Sequence, residues 1–281
     1  MNVWAKGRVM SVRSSVEWVG RRMYDQVSDL GAFYLFTIQT LSWVLRDFTR
    51  WRLLRPQLYE VGVRSLPVVV FTGSFIGMVL AAQSYFQFEA IGRASWSGAV
   101  INLSVIKELG PVLAGVMIAG RVGGALAAEL GTMRVTEQVD ALRSLGADPI
   151  RHLVVPRFLA CLFLIPILTI YCDFVGILGG YAVAWSYGVD SHDYWRHSAD
   201  AIENFDILTG VLKSCFFGAF IALISCFKGF QSRQGAAGVG RAATEAFVTS
   251  FMAILVLDFF TVLLLQGIYD YFWGRTSVFG L

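Results

Sequence analysis

Charge is scarce in this chain. Asp, Glu, Lys and Arg make up 15% of its 281 residues, while 56% are hydrophobic and the mean hydropathy is +0.60. Soluble domains carry nearer a quarter charged residues, so a water-soluble fold is excluded and an integral membrane protein is expected. Residues that carry chemistry are also few. The three histidines, His152, His192 and His197, are scattered. The four cysteines, Cys161, Cys172, Cys215 and Cys226, sit in apolar runs without C-x-x-C spacing, which argues against zinc and disulfides. G-x-x-x-x-G-K-[ST] is missing, so the chain does not bind ATP through a P-loop; G-x-S-x-G and H-E-x-x-H are missing too. Gly235, Gly238 and Gly240 follow no strand and are expected to form a flexible turn rather than a phosphate cradle. No catalysis, metal, bound cofactor or nucleic acid is expected. The N-terminus lacks a short apolar core followed by a small-residue cleavage site, so no secretory signal is expected.

What the chain does have is long apolar runs. Five read as membrane spans: Ser65–Phe88, Ser97–Ala125, Leu153–Trp185, Ile207–Phe227 and Ala242–Gly267. Gly73-x-x-x-Gly77 and Gly176-x-x-x-Gly180 supply faces for close helix packing. Leu30–Leu45 is uncharged for sixteen residues, short of the roughly 20 needed to cross, and arginines flank it. It reads as an interfacial helix with Trp43 and Trp51 at headgroup depth, the rival being an extra span. The expected fold is all-α: an N-terminal interfacial helix, five transmembrane helices and one short amphipathic helix. Its divisions are 1–61, a transmembrane domain over 62–270, and a short external tail over 271–281. Eighteen Lys and Arg residues lie on one side of this topology and three on the other, which puts the N-terminus in the cytoplasm and the C-terminus outside. The loop over 186–206 is acidic and external.

The stretch Val105–Pro149 organises the rest. It starts with the adjacent pair Lys107 and Glu108 inside the second span and ends in T-E-Q-V-D-A-L-R-S-L-G-A-D-P. There Thr136 is placed to cap a short helix, Glu137 suits its positive start, and Gly146 suits the position past its end. Val139, Leu142 and Leu145 recur on one face. A helix this short must dock onto something. Spacing leaves two options open, its own bundle or a soluble partner.

Lys107, Glu108, Asp173, Lys213 and Asp258 fall in the outer half of the bilayer, from four spans. Each would cost about 2.5–3.5 kcal/mol facing lipid, so they should turn inward and pair. A structural ion-pair network and a hydrated functional opening both satisfy that requirement. A gradient-driven transporter or channel using Asp173 and Asp258 is the alternative reading.

Several long motifs, in order, resemble one family. E-L-G-P (108–111), A-G-R-V-G (119–123), A-E-L-G-T-M-R-V-T-E-Q-V-D-A-L (128–142), G-A-D-P (146–149) and P-R-F (156–158) are similar to the MlaE/YrbE permeases. L-K-S (212–214), G-A-A-G-V-G-R-A-A-T (235–244) and L-D-F (257–259) extend the likeness. The resemblance implies the membrane subunit of an MCE-type (Mla) ABC transporter that moves phospholipid between inner and outer membranes, in the bacterial inner membrane. It implies a homodimer, cytoplasmic ABC ATPase subunits that hold the ATP and Mg, a periplasmic ring of MCE-domain lipid carriers, and a small cytoplasmic accessory subunit. The family's coupling helix falls on Thr136, Glu137, Gln138, Asp140, Ala141, Leu142 and Arg143, with Gly146, Asp148 and Pro149 in the turn beyond. Its charge cluster falls on Lys107, Glu108, Lys213 and Asp258; many relatives carry Arg in place of Lys107. An apolar lipid cavity at the dimer interface is assigned to Phe75, Met78, Leu255 and Phe259.

Overall fold

The computed structural model describes residues 3–46 and 51–273, and every element among them is helical. The tail expected over 271–281 lies outside the described residues from 274 onward. The first helix, α1 (Val3–Arg46), belongs to a unit of its own within residues 1–48. It takes in Leu30–Leu45 as part of a continuous 44-residue helix and is not apolar enough to rank among the candidate spans.

The second unit holds α2 (Trp51–Ala90), α3 (Ala94–Val135), α4 (Gln138–Ser144), α5 (Ile150–Ser186), α6 (Ser191–Ala201), α7 (Asn204–Phe230) and α8 (Ala236–Trp273). Five of them, α2, α3, α5, α7 and α8, are long and apolar enough to cross a bilayer among the described residues, matching the five expected runs. The protein is an all-α integral membrane protein.

α5 is the hub. It packs along α2, against α7 and against the middle of α3, and two thirds of its apolar stretch is buried. α8 lies outside, against α7 and the far part of α3. The two small-residue faces read from the sequence meet each other. A methyl group at Gly73 would stand 2.7 Å from the Cys172 carbonyl oxygen, and one at Gly77 would overlap the Gly176 carbonyl. Only glycine allows α2 and α5 to approach so closely, and the contact area gained is what holds helices together in lipid.

Four single π-turns interrupt the long helices, at Tyr59–Val63, Val105–Leu109, Ala119–Gly123 and Ile150–Val154. Two have a cause in the sequence. Val105–Leu109 ends two residues before Pro111, and Ile150–Val154 ends two before Pro156. Proline offers no N–H and its ring crowds the carbonyl four residues earlier, so the preceding turn widens instead of the helix breaking.

Two loops are more ordered than the sequence suggests. The acidic segment 186–206 contains α6, started by Asp190, whose carboxylate accepts from the backbone N–H groups of His192 at 2.8 Å and Asp193 at 3.1 Å. Tyr194 and Ser198, one turn apart, face inward. The glycine-rich turn shrinks to residues 231–235: α7 runs to Phe230, and α8 already includes Gly238 and Gly240. Gly235, at φ +86°, makes the reversal, a conformation that glycine adopts without strain.

Candidate functional site

The charge cluster sits where α3, α7 and α8 meet. Pro111 cannot donate to the Lys107 carbonyl, and the widened turn carries the Gly110 N–H to Val105 O. The freed Lys107 carbonyl accepts instead from Lys213 Nζ, 3.3 Å away on α7. Gly210, one turn earlier, lets α7 come in: a methyl there would overlap the Ile106 carbonyl oxygen. Lys213 is fully buried, with Glu108 Oε2 at 2.6 Å and Asp258 Oδ1 at 3.1 Å. The Glu108 contact is a hydrogen bond; Asp258 meets the ammonium off the hydrogen-bonding direction, as a charge pair. A buried ammonium is tolerable only with such partners.

Lys107 turns the other way, 3.0 Å from Asp206 Oδ1. The second oxygen of Asp206 accepts from the Glu203 backbone N–H at 3.1 Å, so one side chain both caps α7 and holds Lys107. Sequence reasoning placed Asp206 in the external acidic loop and missed it. Its position three residues into a helix that opens E-N-F-D was the available signal. Asp173, expected in the cluster, stands apart. No partner reaches its buried Oδ1, and its carboxylate lies over Gly110, where a methyl group would overlap it. The count is still two cations against three carboxylates, with Asp206 in place of Asp173.

On the acid-rich end, α6 docks on the start of α3. Asn102 is buried; its amide donates to Ser198 Oγ at 2.9 Å, and its carbonyl accepts from the Tyr194 hydroxyl at 3.2 Å. Burial pushes the Tyr194 hydroxyl up to about 12.

At the basic end, α4 hangs between α3 and α5. Thr136 does not cap it: its hydroxyl donates back to the Thr132 carbonyl at 2.9 Å, closing α3. The chain reverses instead through Glu137, at φ +60° the one left-handed non-glycine residue among those described. Arg134 of α3 reaches across the bend to both Asp140 oxygens, at 3.0 and 3.2 Å, and Arg143 approaches the same carboxylate at 3.4 Å. The far end closes as the sequence suggests. Gly146 has φ +75°, its N–H bonds Arg143 O at 3.0 Å, and Ala147 N–H bonds Leu142 O at 3.1 Å, the doubly bonded glycine stop. Asp148 Oδ1 then accepts from Ile150 N–H at 2.9 Å, and Pro149 opens α5.

The apolar face expected on α4 is split. Val139 is fully buried and Leu142 partly, but Leu145 is 81% exposed; Glu137, Gln138, Ala141 and Arg143 are open too. Beneath, Arg157 is 4% exposed and pairs with Glu129 at 2.8 Å while donating to Leu153 O at 2.6 Å. This pair of a buried arginine with an exposed glutamate also escaped the sequence reading.

Of the cavity candidates, Phe75 lines an apolar groove of about 430 Å³ between α2 and α3, with Phe71, Val79, Leu80, Leu109 and Leu113. Met78 does not line it; its Cγ leans on Gly179 of α5. Leu255 and Phe259 lie on the open side of α8, outside that groove.

The chain is similar to known membrane proteins over most of its length. The family model described as "Permease MlaE" matches residues 54–264. A "Probable ABC transporter permease protein" of Rickettsia felis is 43% identical over 242 residues, 86% of this chain and 93% of the relative. "Protein TRIGALACTOSYLDIACYLGLYCEROL 1, chloroplastic" of Arabidopsis thaliana is 38% identical over 79% of this chain and 63% of that protein. The "Intermembrane phospholipid transport system permease protein MlaE" of Haemophilus influenzae is 36% identical over 76% of this chain and 83% of the relative.

Proposed function

The chain belongs to the MlaE permease family, and from that premise we propose that it is the membrane subunit of an ATP-driven phospholipid transporter of the bacterial inner membrane. The observation that carries the coupling mechanism is α4: a seven-residue helix, clamped by Arg134 and Asp140, with Leu145 held out into solvent. An apolar side chain that exposed, on an element rigidly tied to two spans, fits the groove of a soluble ATPase.

The basic end faces the cytoplasm, as the distribution of Lys and Arg requires. ATP and Mg are held by the partner. Its closure drives α4, which is short and stiffly joined to both α3 and α5. A push there travels along α3 to the π-turn at Lys107 and Glu108, where widened turns give the helix a place to bend. The paired charges hold α3, α7 and α8 in register while it does so. Two copies of the chain pair through exposed apolar faces, with a lipid cavity between them lined in part by Phe75, Leu255 and Phe259, and an external carrier ring of MCE domains receives the lipid. The gradient-driven alternative is disfavoured by the family, and Asp173 lies apart from Asp258 rather than forming an ion site with it.

Co-reconstitution with the ATPase partner in proteoliposomes tests the proposal. Leu145→Asp should leave the folded chain and bundle intact while ATP-dependent lipid transfer and stimulated ATP hydrolysis both fall at least tenfold. Unaltered coupling in Leu145→Asp and Leu142→Asp alike would overturn the role given to α4.

A further inference from the structure

Two of the four π-turns, Tyr59–Val63 on α2 and Ala119–Gly123 on α3, have no proline two residues beyond them, and the Arg121 side chain joins them. Arg121 Nη1 donates to Ser65 Oγ at 2.7 Å and to the Glu60 backbone carbonyl at 3.2 Å. That carbonyl is open because its turn is widened. The N–H groups that would fill it from the next turn are taken: Arg64 N–H bonds Tyr59 O at 3.4 Å, and Ser65 N–H bonds Gly62 O at 3.1 Å. A partly buried carbonyl without a donor costs free energy. The guanidinium supplies that donor, and so favours the widened turn over the ordinary α-turn.

The contact is a grip on backbone more than a charge pair. The Glu60 carboxylate stands 3.7 Å from Arg121 and is held by Arg64 at 2.8 Å. An arginine that only anchored a span would extend into water or headgroups. Arg64, mostly exposed, does so, whereas Arg121 is largely covered and turned onto α2. The other sides of the same turn of α3 are smooth. A methyl group at Gly123 would stand 2.8 Å from Ser225 Oγ of α7, and one at Gly120 would stand 3.4 Å from the Phe247 ring of α8. α3 therefore meets α7 and α8 here through glycines, which put no side chain in the way of a rotation, and meets α2 through one arginine that resists it.

We infer that Arg121 is a positioning residue for transport: it ties the π-turn of α3 to that of α2, so that motion of α4 reaches α2 as well as the charge cluster. Its placement suits that role. On one side, Gly124–Val135 is an unbroken helix of 12 residues leading to the bend into α4, about 18 Å at 1.5 Å per residue. On the other, α2 carries Phe71 and Phe75 of the apolar groove six and ten residues past Ser65. A π-turn that closes to an α-turn shifts the register by one residue, about 100° and 1.5 Å. Closing the turn of α2 fills the Glu60 carbonyl from Arg64 and releases Arg121. Closing the turn of α3 swings Arg121 away from α2. Neither turn changes alone without breaking the link. The inference rests on the permease reading and on the role given to α4.

The test uses the full chain with its ATPase partner in proteoliposomes and reads the lipid transferred per ATP hydrolysed. Arg121→Met keeps the apolar stem and removes the donors. Its transfer per ATP should fall about tenfold, the factor that one hydrogen bond from a charged group supports. Stimulated ATP hydrolysis and the melting temperature should both stay close to wild type. Ser65→Ala, which removes one acceptor and strands no charge, should lower the same ratio about threefold. Glu60→Gln, which removes the carboxylate but keeps the backbone carbonyl, should lower it less than Ser65→Ala does. Parallel losses of transfer, hydrolysis and melting temperature in Arg121→Met and Ser65→Ala would make Arg121 a structural tie. An unchanged ratio in both would remove it from transport. A larger loss in Glu60→Gln than in Ser65→Ala would make the contact a charge pair. Each of these three results overturns the inference. A wild-type chain that transfers no lipid with ATP would overturn the permease reading and this role with it, and the wild type alone identifies that case.

Discussion

Lys213 and Asp140 each hold two oppositely charged neighbours at about 3 Å, yet they do so in opposite surroundings. Lys213 has no exposed side-chain surface and takes Glu108 at 2.6 Å and Asp258 at 3.1 Å; Asp140 is half exposed and takes Arg134 at 3.0 Å and Arg143 at 3.4 Å. At mid-depth the partners are compulsory, because lipid and packed side chains offer no alternative solvation. At the basic end water can replace either partner. The same ion-pair geometry therefore does two jobs: it holds three spans together in one place and orients a small element in the other.

The contrast predicts its largest effect at Lys213. Lys213→Met should cost about 3–5 kcal/mol, because it leaves Glu108 and Asp258 facing each other without a cation. Thermal melting of detergent-solubilised protein, followed by gel filtration, reads this directly. Adding Asp258→Asn to Lys213→Met should recover part of the loss. A Lys213→Met protein as stable as one altered at Asp140 would remove the distinction between the two regions.

A smaller loss is expected where packing rather than charge is decisive. Gly77→Ala places a methyl group on the backbone of Gly176, which cannot rotate away, so about 1–3 kcal/mol should be lost as α2 and α5 separate. At the basic end, Gly146→Ala meets open space but keeps φ at +75°, so the loss should be about 1–2 kcal/mol from backbone strain alone. Melting temperatures of the two variants in one detergent compare a clash with a strained turn.

The features legible in the sequence were those set by local chemistry or by the cost of lipid exposure. The five spans, the two glycine faces, the Gly146 stop and the need for the buried charges to pair all follow from one stretch at a time. What escaped was where elements bring distant residues together. Asp206 joins Lys107 only because α7 starts level with the π-turn of α3, and Arg157 meets Glu129 only because α5 returns beside α3. Thr136 was misassigned for a different reason. Threonine in a helix can bond its own preceding turn as readily as it can cap a following one, and here the Thr132 carbonyl won. Asp173 failed as a cluster member because one carboxylate fits over Gly110 without any cation to draw it further.

Asp140→Ala should produce the smallest change in stability and a disproportionate change in function. Arg134, Arg143 and Asp140 are all substantially exposed, so losing the pairs should cost at most about 1 kcal/mol, less in high salt. What the clamp supplies is orientation. Glu137 bends the chain in a left-handed conformation that an ordinary side chain adopts only when its surroundings hold it there, and the Arg134–Asp140 contact spans that bend. Without it, α4 should pivot about Val139, the one residue of the helix that is fully buried, and Leu145 should no longer point in a fixed direction. ATP-driven lipid transfer should then fall severalfold with the melting temperature nearly unchanged. Asp140→Glu, which can still reach Arg134, should recover most of the activity. Parallel losses of activity and stability would mean that α4 is held by packing and that the basic end works by the same rule as the middle of the membrane.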